Sequence, residues 1–412
     1  MTNDGTPHPP QASHPAGPFE DPAIEALLAP PLGGLRPNTS LSPLAFDLNA
    51  GVPDRGSLPA RELAEAATAA LAEDPAGALT YGGQQGFAPL REWIALRESS
   101  RDHVKVAPEH VTLTSGSAHG IDNVAAAFLA PGDVVAIGAP SYPGAIRAFR
   151  ARGVELVEVP QDLDGLDPEV AAQVFEAQRA AGRPVKLLYL IPTYDNPTGA
   201  TIPLDRRRDL VDLARAHSAL IVEDEAYVGL DFEGPPPPSL FALADGRRVI
   251  QLGTFSKTIA TGLRVGWTVA EPSITRALLF ARFDNGASPL LHRIVLHYLE
   301  GGDYEAHVAT LQRIYRERRD ASAAALREHL DGLVDFRAPS GGFFHWLRLR
   351  EGLEAWQVTA AAAELDVAVT PGPTYYANAG GDRHIRLAFP ALPVEDLHEA
   401  IARLGAAIAG LS

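Results

Sequence analysis

Short apolar segments alternate with helical patterns between residues 110 and 270, and this alternation limits the possible folds more than any other feature of the chain. Segments that are apolar throughout are typical of strands buried on both faces, and helices between them are typical of crossovers in a parallel sheet. We therefore predict an α/β fold whose large domain has a mostly parallel seven-stranded sheet sandwiched by helices. The predicted strands are residues 110–114, 134–138, 154–159, 186–191, 219–223, 249–252 and 265–267.

The pattern changes after residue 290, which predicts a second, smaller α+β domain. A long helical pattern at 292–329 precedes strand patterns at 342–349, 367–370 and 384–389, and a final helical pattern covers 394–408. The first residues are rich in proline and poor in apolar side chains, a composition typical of disorder. The predicted division is a disordered proline-rich tail at 1–22, an N-terminal segment of the small domain at 23–60, a large domain at 61–290 and a small C-terminal domain at 291–412.

Charge and composition exclude several classes of partner and site. The formal net charge of −16 argues against a nucleic-acid partner, because a phosphate backbone requires a basic surface. No segment approaches the ~20 apolar residues of a membrane-spanning helix, and the N-terminus lacks the apolar core of a signal peptide. The chain has no cysteine, and its 13 histidines show no ligand spacing, so we expect no metal site. These features predict a cytoplasmic protein.

Polar side chains follow several predicted strands, at the edge of the sheet where ligands of parallel α/β folds bind. A run of small residues at 115–118 opens a helix, whose free N–H groups favour an anion. Asn196 lies in the turn after a later strand, and Asp224 and Tyr227 follow the next one. Taken alone, each is also explained by an ordinary turn or helix cap.

Lys257 lies after the strand at 249–252 and is one of only three lysines, with Lys105 and Lys186. Its apolar neighbours predict partial burial, although an exposed loop position is the usual one for a lysine. Burial lowers the pKa of a lysine and makes its amine a nucleophile, a role that arginine cannot fill.

One cofactor, pyridoxal phosphate, requires all of these groups together. Its aldehyde needs an amine, for which Lys257 is the candidate, and its pyridine nitrogen needs a carboxylate, for which Asp224 is the candidate. Asn196 and Tyr227 are candidate donors to the ring oxygen. The candidate phosphate site consists of Ser115, Gly116, Ser117, Ser256 and Arg264.

With these motifs in this order, the chain resembles the class I and II aminotransferases of the fold-type I pyridoxal-phosphate enzymes, especially the branch of 2-aminoadipate and kynurenine aminotransferases. The resemblance runs from about Leu44 to the C-terminus. It rests on the following motifs: Tyr-Gly at 81–82 with Gly-Phe-Ala-Pro-Leu-Arg at 86–91, Ser-Tyr-Pro at 141–143, Asn-Pro-Thr-Gly at 196–199, Asp-Glu-Ala-Tyr at 224–227, Ser-Lys-Thr at 256–258 with Arg264, and His-Ile-Arg-Leu-Ala-Phe at 384–389.

The resemblance implies an aspartate-aminotransferase-like fold and a role for each matching residue. Lys257 is implied to form the Schiff base and to carry the proton, with Asp224, Tyr227 and Asn196 as the other catalytic residues. The implied cofactor-binding residues are these four and Tyr142, Ser115, Gly116, Ser117, Ala118, Thr254, Ser256, Arg264 and Tyr81. The implied substrate-binding residues are Arg386, Asn196, Gly51 and Arg36, where Arg386 binds the α-carboxylate.

The resemblance further implies a homodimer in which Tyr81 reaches the cofactor phosphate of the neighbouring subunit, and it places the 23–60 segment near the active site. Arg36 is a candidate for a distal substrate carboxylate, although a solvent-facing arginine fits the sequence equally well. Three places depart from the family pattern: Ala118 with His119, Asp195, and residues 283–288. They bear on the substrate and on the reaction, and His119 is expected to pack or cap within its helix.

The expected reaction is transamination between an amino acid and a 2-oxo acid, with 2-oxoglutarate as the expected acceptor. The alternative is a different pyridoxal-phosphate reaction on the same fold: β- or γ-elimination or replacement, oxidation, or carbon–carbon bond formation in a biosynthetic pathway. A transcription regulator with an aminotransferase-like sensor domain is a third interpretation. The sequence disfavours it, because only about 45 residues without a basic helix pair precede the resemblance.

Overall fold

The computed structural model describes residue 23, residues 27–28 and residues 44–411. The predicted disordered tail at 1–22 and the candidate Arg36 lie outside the described residues. In the described part of the chain, no helix is long and apolar enough to cross a membrane.

The structure alternates strands and helices up to residue 280 and then changes to a helix-rich arrangement. The strands are β1 (Phe46–Asp47), β2 (Val111–Thr114), β3 (Val134–Ala139), β4 (Glu155–Asp162), β5 (Gly165–Leu166), β6 (Val185–Leu190), β7 (Leu220–Asp224), β8 (Val249–Thr254), β9 (Gly266–Val269), β10 (Val334–Asp335), β11 (Phe344–Leu349), β12 (Val367–Ala368), β13 (Thr370–Pro371) and β14 (His384–Ala388). The helices are α1 (Ala60–Glu73), α2 (Pro75–Leu79), α3 (Ala88–Asp102), α4 (Ser117–Phe128), α5 (Pro143–Arg150), α6 (Pro168–Ala180), α7 (Leu204–Ala216), α8 (Leu240–Leu243), α9 (Pro272–Phe280), α10 (Pro289–Glu300), α11 (Tyr304–His329), α12 (Ala355–Glu364) and α13 (Val394–Ala409).

The large sheet has the strand order β2-β9-β8-β7-β6-β3-β4-β5 in the described residues. Strands β8, β7, β6, β3 and β4 are mutually parallel, whereas β9 runs antiparallel to both β2 and β8. The mostly parallel sheet of the predicted α/β fold is therefore confirmed. Its seven predicted strands are all present, and the eighth, β5, is a two-residue strand that returns antiparallel to the end of β4.

Helices cover both faces of this sheet because its strands are apolar on both sides. In β3, Val134 and Ala136 belong to one buried cluster, whereas Val135 and Ile137 belong to another on the opposite face. This alternation follows from the pleat, which points successive side chains to opposite faces. Several helices in this region begin with proline at the first position, where the missing N–H has no cost.

The smaller domain has an antiparallel four-stranded sheet in the order β10-β11-β14-β13. A third buried cluster joins this sheet to α11, α12 and α13. The N-terminal strand β1 pairs in parallel with β12, and the adjacent Leu48 is fully buried in the same cluster. Residues 46–48 therefore pack with the small domain, although they precede the large sheet in the chain.

Two element predictions were wrong. The single helix predicted over 292–329 is two helices, α10 and α11, because Gly302 has φ +85° in the turn between them, a backbone conformation that ends a helix. The single strand predicted over 367–370 is the two short strands β12 and β13, because the first pairs with β1 and the second with β14.

The division into domains at residue 290 stays a prediction, and the packing supports a later boundary. Ile294, Val295 and Tyr298 of α10 lie in the first cluster of the large sheet, together with Tyr304. Leu311 and Tyr315 of α11 lie in the small-domain cluster. We propose that the boundary falls in the first turns of α11, between Tyr304 and Leu311, so that α10 belongs to the large domain.

Candidate active site

A cavity of ≈ 820 Å³ opens at the carboxyl ends of β6, β7 and β8, with residues of the small domain on its other side. This edge is where parallel α/β sheets bind ligands. The predicted site residues that line the cavity are Gly51, Ser117, Ala118, Tyr142, Asn196, Asp224, Tyr227, Thr254, Ser256, Lys257, Arg264 and Arg386. Residues from widely separated parts of the sequence therefore line the same cavity.

Lys257 lies in the turn after β8 and is half-buried in the cavity. Phe255 and Ile259 on either side of it are buried in the core, so the turn is fixed at both ends. The Lys257 Nζ donates a hydrogen bond to the carbonyl oxygen of Gly51 at 2.7 Å. This contact joins the large domain to the N-terminal segment.

The electrostatic surroundings of Lys257 favour its neutral amine. Burial and, after it, the positive charges of Arg386 and Arg264 together lower the pKa of Lys257 to about 8, against the opposing effect of Asp224. A lysine with this pKa has a sizeable neutral, nucleophilic fraction near neutral pH. The sequence-based expectation of a buried, activated amine agrees with this geometry.

Asp224 ends β7 and is buried at the bottom of the cavity. Its Oδ2 accepts a hydrogen bond of 2.9 Å from the hydroxyl of Tyr189, whereas its Oδ1 has no partner among the described residues. Burial, partly offset by the Tyr189 hydrogen bond, raises the pKa of Asp224 to about 6. A buried carboxylate oxygen without a partner is costly and marks a position where a cationic donor would bind.

An anion-binding cup forms where α4 begins beside the Arg264 turn. Gly116 precedes the first residue of α4 with φ +86°, and an Arg264 Nη2 donates to the carbonyl of Ser115 at 3.2 Å. A Cβ on Gly266 would lie 2.7 Å from the backbone of Gly116, so only glycine permits this approach. Ser117 lines the cavity, while Ser115 and Gly116 form the backbone directly behind it.

The hydroxyls of Thr254 and Ser256 complete the cup at the end of β8. Their oxygen atoms lie 2.9 Å apart, and the Thr254 Oγ1 also accepts from the backbone N–H of Ser256 at 3.1 Å. Both residues line the cavity next to Ala118. Helix N–H groups, hydroxyls and a guanidinium are the donors that bind phosphate in proteins.

Arg386 extends from β14 into the cavity and is held by the N-terminal segment and the Asn196 turn. One guanidinium nitrogen donates to Asn196 Oδ1 at 2.9 Å, and the other donates to the carbonyl of Asn49. The guanidinium carbon lies 4.2 Å from the centre of the Phe344 ring. The Nε of Arg386 is buried without a partner in the described part of the chain, so the group retains a free donor.

Two predicted tyrosines also lie in the cavity. Tyr142 caps the start of α5, and burial raises the pKa of its phenol. Tyr227 follows Asp224 and packs edge-on against Phe343 and Phe344, and burial raises its pKa as well. Both phenols therefore stay protonated at neutral pH and can donate hydrogen bonds.

Some predicted residues are not at the cavity, and others were missed. Tyr81 is 85% exposed and does not line it. Tyr189 and Asn49 were missed, because a tyrosine within an apolar strand and an asparagine in a loop give no signal in the sequence. Arg147 and Arg150 also line the cavity and were not predicted.

The three departures from the family pattern have distinct environments. His119 Nδ1 accepts from the backbone N–H of Ser115 at 3.0 Å, which fits the expected capping position. Asp195 is buried, its Oδ2 accepts from the Thr198 hydroxyl at 2.7 Å, and burial raises its pKa to about 7. Phe283 is 93% exposed, next to an ion pair between Arg282 and Asp284.

A separate group of possible metal ligands lies on the surface between α11 and α13. Glu328, His329 and His398 bring their ligand atoms within 4.8 Å of one another. No local sequence pattern indicates this group, because His398 is separated from the other two residues by about 70 positions.

Comparison with known proteins gives the same family as the motifs. The aminotransferase class I and II profile matches residues 45–404. A 2-aminoadipate transaminase of Thermus thermophilus is 37% identical over 88% of this chain and 89% of its own length. An aromatic-amino-acid aminotransferase of Thermococcus litoralis is 34% identical over 88% of each chain.

A solved structure of a relative with similar sequence identity supports the fold. The α-aminoadipate aminotransferase from Thermus thermophilus, complexed with N-(5'-phosphopyridoxyl)-L-leucine, has a TM-score of 0.82 and 36% identity, covering 89% of this chain and 92% of its own. The match of the family profile to most of the chain, together with these relatives, means that the chain belongs to the aminotransferase class I and II family.

Proposed function

We propose that this chain, a pyridoxal-phosphate-dependent aminotransferase of that family, transfers the amino group of an amino acid to 2-oxoglutarate in the cavity around Lys257. The observation that supports this assignment most strongly is the partnerless Oδ1 of Asp224, buried in a cavity that also holds a low-pKa lysine. A protonated pyridine nitrogen would donate a hydrogen bond to that oxygen. The residues present therefore fit the cofactor.

The residues proposed to hold the cofactor lie in three parts of the cavity. Lys257 would bond its aldehyde carbon, and Asp224 would pair with its ring nitrogen. Asn196 and Tyr227 would donate to its ring oxygen, and Tyr142 would pack against the ring. The proposed phosphate donors are Ser115, Gly116, Ser117, Ala118, Thr254, Ser256 and Arg264.

When bound, pyridoxal phosphate supplies a ring that accepts the electron pair left at the substrate Cα after proton removal. The chain's own residues supply the proton transfer and the orientation. Lys257 would accept the Cα proton of the substrate, and its pKa of about 8 suits a base that works near neutral pH. The carboxylate of Asp224, when ionised, would pair with a positive charge at the ring nitrogen.

Arg386 is the proposed group for the substrate's α-carboxylate. Its guanidinium is fixed by Asn196 and by the carbonyl of Asn49, so little rotamer entropy remains to be lost on binding. Gly51 is the proposed backbone contact beside the substrate, because its carbonyl meets the Lys257 amine. Fixing the carboxylate sets which Cα bond faces the lysine.

We further propose a homodimer with shared active sites. Tyr81, with 85% of its side chain exposed, is the proposed residue that reaches the partner subunit's phosphate site. Two other exposed apolar residues, Leu79 and Phe283, provide surface for the same contact. A cytoplasmic location stays a prediction from the sequence.

The test is amino transfer by the purified protein loaded with pyridoxal phosphate. A panel of amino acids, including 2-aminoadipate and aromatic amino acids, is incubated with 2-oxoglutarate, and glutamate is measured. We expect glutamate from at least one donor, and none from Lys257→Ala. A Lys105→Ala variant serves as the control, because its amine is remote from the cavity lining. Full activity of Lys257→Ala would overturn the assignment.

A further inference from the structure

The cavity is strongly cationic, although the chain as a whole carries a net charge of −16. Among the described residues, its lining contains one carboxylate, Asp224, and five basic side chains. The basic side chains are Arg147, Arg150, Lys257, Arg264 and Arg386. A cleft lined by one sign of charge attracts ligands of the opposite sign.

The proposed function accounts for three of these five cations. In that proposal Lys257 would bond the cofactor, Arg264 would bind its phosphate, and Arg386 would bind the α-carboxylate of the substrate. The charge of Asp224 would be balanced by the ring nitrogen. The remaining two cations are the guanidinium groups of Arg147 and Arg150. An amino acid substrate with an uncharged side chain would provide no anion to pair with either of them.

Both residues lie on α5, which begins directly after the cavity residue Tyr142. Three positions apart, they lie on the same face of the helix. Both are exposed, and within the described ranges neither guanidinium has a hydrogen-bond or ion-pair partner. By contrast, the nearby Arg152 donates to Asp122 at 2.8 Å and does not line the cavity.

Arg147 interacts electrostatically with Tyr142, which lines the same cavity. Its positive charge acts on the Tyr142 phenol together with those of Arg264 and Arg386, and all three oppose the rise in the pKa of Tyr142. Arg147 is therefore within electrostatic reach of the groups proposed to hold cofactor and substrate. Arg150 lies about one turn farther along α5 and also lines the cavity.

We propose that Arg147, supported by Arg150, binds the distal carboxylate of dicarboxylic substrates, so that the enzyme prefers 2-oxoglutarate and amino acids with an acidic side chain. This inference rests on the proposed function. A guanidinium binds a carboxylate through two parallel hydrogen bonds, which fixes the far end of the substrate while Arg386 fixes the near end. Two anchored ends hold the Cα in one orientation.

The helix itself offers a different reason for these arginines, because cations in the last turn of a helix stabilise it. That reason predicts an effect on unfolding and none on substrate choice. A comparison of KM values for substrates with and without a second carboxylate separates the two explanations.

The experiment compares the holoenzyme with Arg147→Gln, Arg150→Gln and the double variant, and Arg152→Gln is the matched control. Steady-state kinetics are measured with 2-oxoglutarate and with pyruvate as acceptors. For Arg147→Gln we expect KM for 2-oxoglutarate to rise about 10- to 100-fold, the loss of one charge-assisted pair, with little change for pyruvate. Arg147→Lys should recover part of the loss.

A binding measurement makes the inference independent of turnover. Calorimetric titration with glutarate, which has two carboxylates and no amine, should show weaker binding to Arg147→Gln by a similar factor, whereas Arg152→Gln should match the unaltered protein. Unchanged glutarate binding and unchanged KM for 2-oxoglutarate in the double variant would overturn the inference and leave the proposed function intact. Arginine-dependent glutarate binding without any amino transfer would instead refute the proposed function alone.

Discussion

At the scale of single residues, the contact of Tyr189 with the buried Asp224 shows most directly how a side chain outside the recognised motifs affects the site. The Oδ2 of Asp224 accepts a hydrogen bond from Tyr189, and its Oδ1 has no partner among the described residues. The motif at 224–227 predicted the carboxylate from the sequence. Tyr189 could not be predicted, because in sequence it is one more apolar-strand residue, and only the pairing of β6 with β7 brings it to Asp224.

Removing the Tyr189 hydroxyl should move the pH dependence of activity. Its hydrogen bond lowers the pKa of Asp224, so Tyr189→Phe raises that pKa, and the ionised carboxylate is lost at a higher pH as the solution is acidified. We expect the acidic limb of the pH–rate profile to shift upward, and kcat/KM near neutral pH to fall about 10- to 150-fold, as for loss of a hydrogen bond to a charged group. Tyr298→Phe is the control, because the Tyr298 hydroxyl is buried with no partner within the described residues. An identical profile for both variants would contradict this account of Tyr189.

Asp195 predicts a pH-dependent effect on stability. Its pKa of about 7 in the folded protein lies above the unfolded value of 3.8, so between these pH values the folded state holds a proton that the unfolded state has released. Stability from this group is therefore highest below pH 3.8 and is lost as the pH rises through about 7. Asp195→Asn removes this loss and should gain about 1–4 kcal/mol relative to the unaltered protein between pH 4 and pH 8. Urea unfolding at both pH values measures it, and a pH-independent difference would show that the charge is not the cause.

At the scale of elements, the strand ends were predictable, because apolar runs and turn motifs are local signals. The break between α10 and α11 and the division of 367–370 were not. The division of 367–370 depends on distant segments, because β12 pairs with β1 and β13 with β14. The break between the helices depends on the positive φ of Gly302, and a glycine within a helical pattern does not by itself reveal that conformation. The anion-binding cup could be predicted only in part, because its glycines can be identified in the sequence whereas their close approach cannot.

The approach of β9 to the start of α4 predicts a sharp difference between two glycines. A Cβ at Gly266 meets the backbone of Gly116 at 2.7 Å, whereas a Cβ at Gly262 meets nothing within 4 Å. Gly266→Ala should therefore force the two elements apart, cost about 1–3 kcal/mol of stability and weaken pyridoxal phosphate binding at least tenfold. Gly262→Ala should leave both unchanged. Thermal unfolding and cofactor titration test this prediction. Equal cofactor affinity in the two variants would refute the proposal that the anion-binding cup holds the cofactor phosphate.

At the scale of the whole molecule, the exposed Tyr81 predicts that one chain is incomplete as a catalyst. Sedimentation should give a particle of about twice 43.7 kDa. Neither Lys257→Ala nor Tyr81→Ala should be active at limiting cofactor, yet mixing them should restore activity, because a hybrid dimer has one site with both native residues. A fully active particle of 43.7 kDa would contradict the shared site.

The central claim is that the cavity around Lys257 transfers an amino group and retains it between the two half-reactions. The most direct measurement is a single turnover of the holoenzyme with its amino acid donor and no acceptor, followed by addition of 2-oxoglutarate. We predict one equivalent of 2-oxo acid per chain, with the cofactor recovered as its amine, and then one equivalent of glutamate. Continuous formation of oxo acid with release of ammonia before any acceptor is added would contradict the claim and would indicate elimination or oxidation instead.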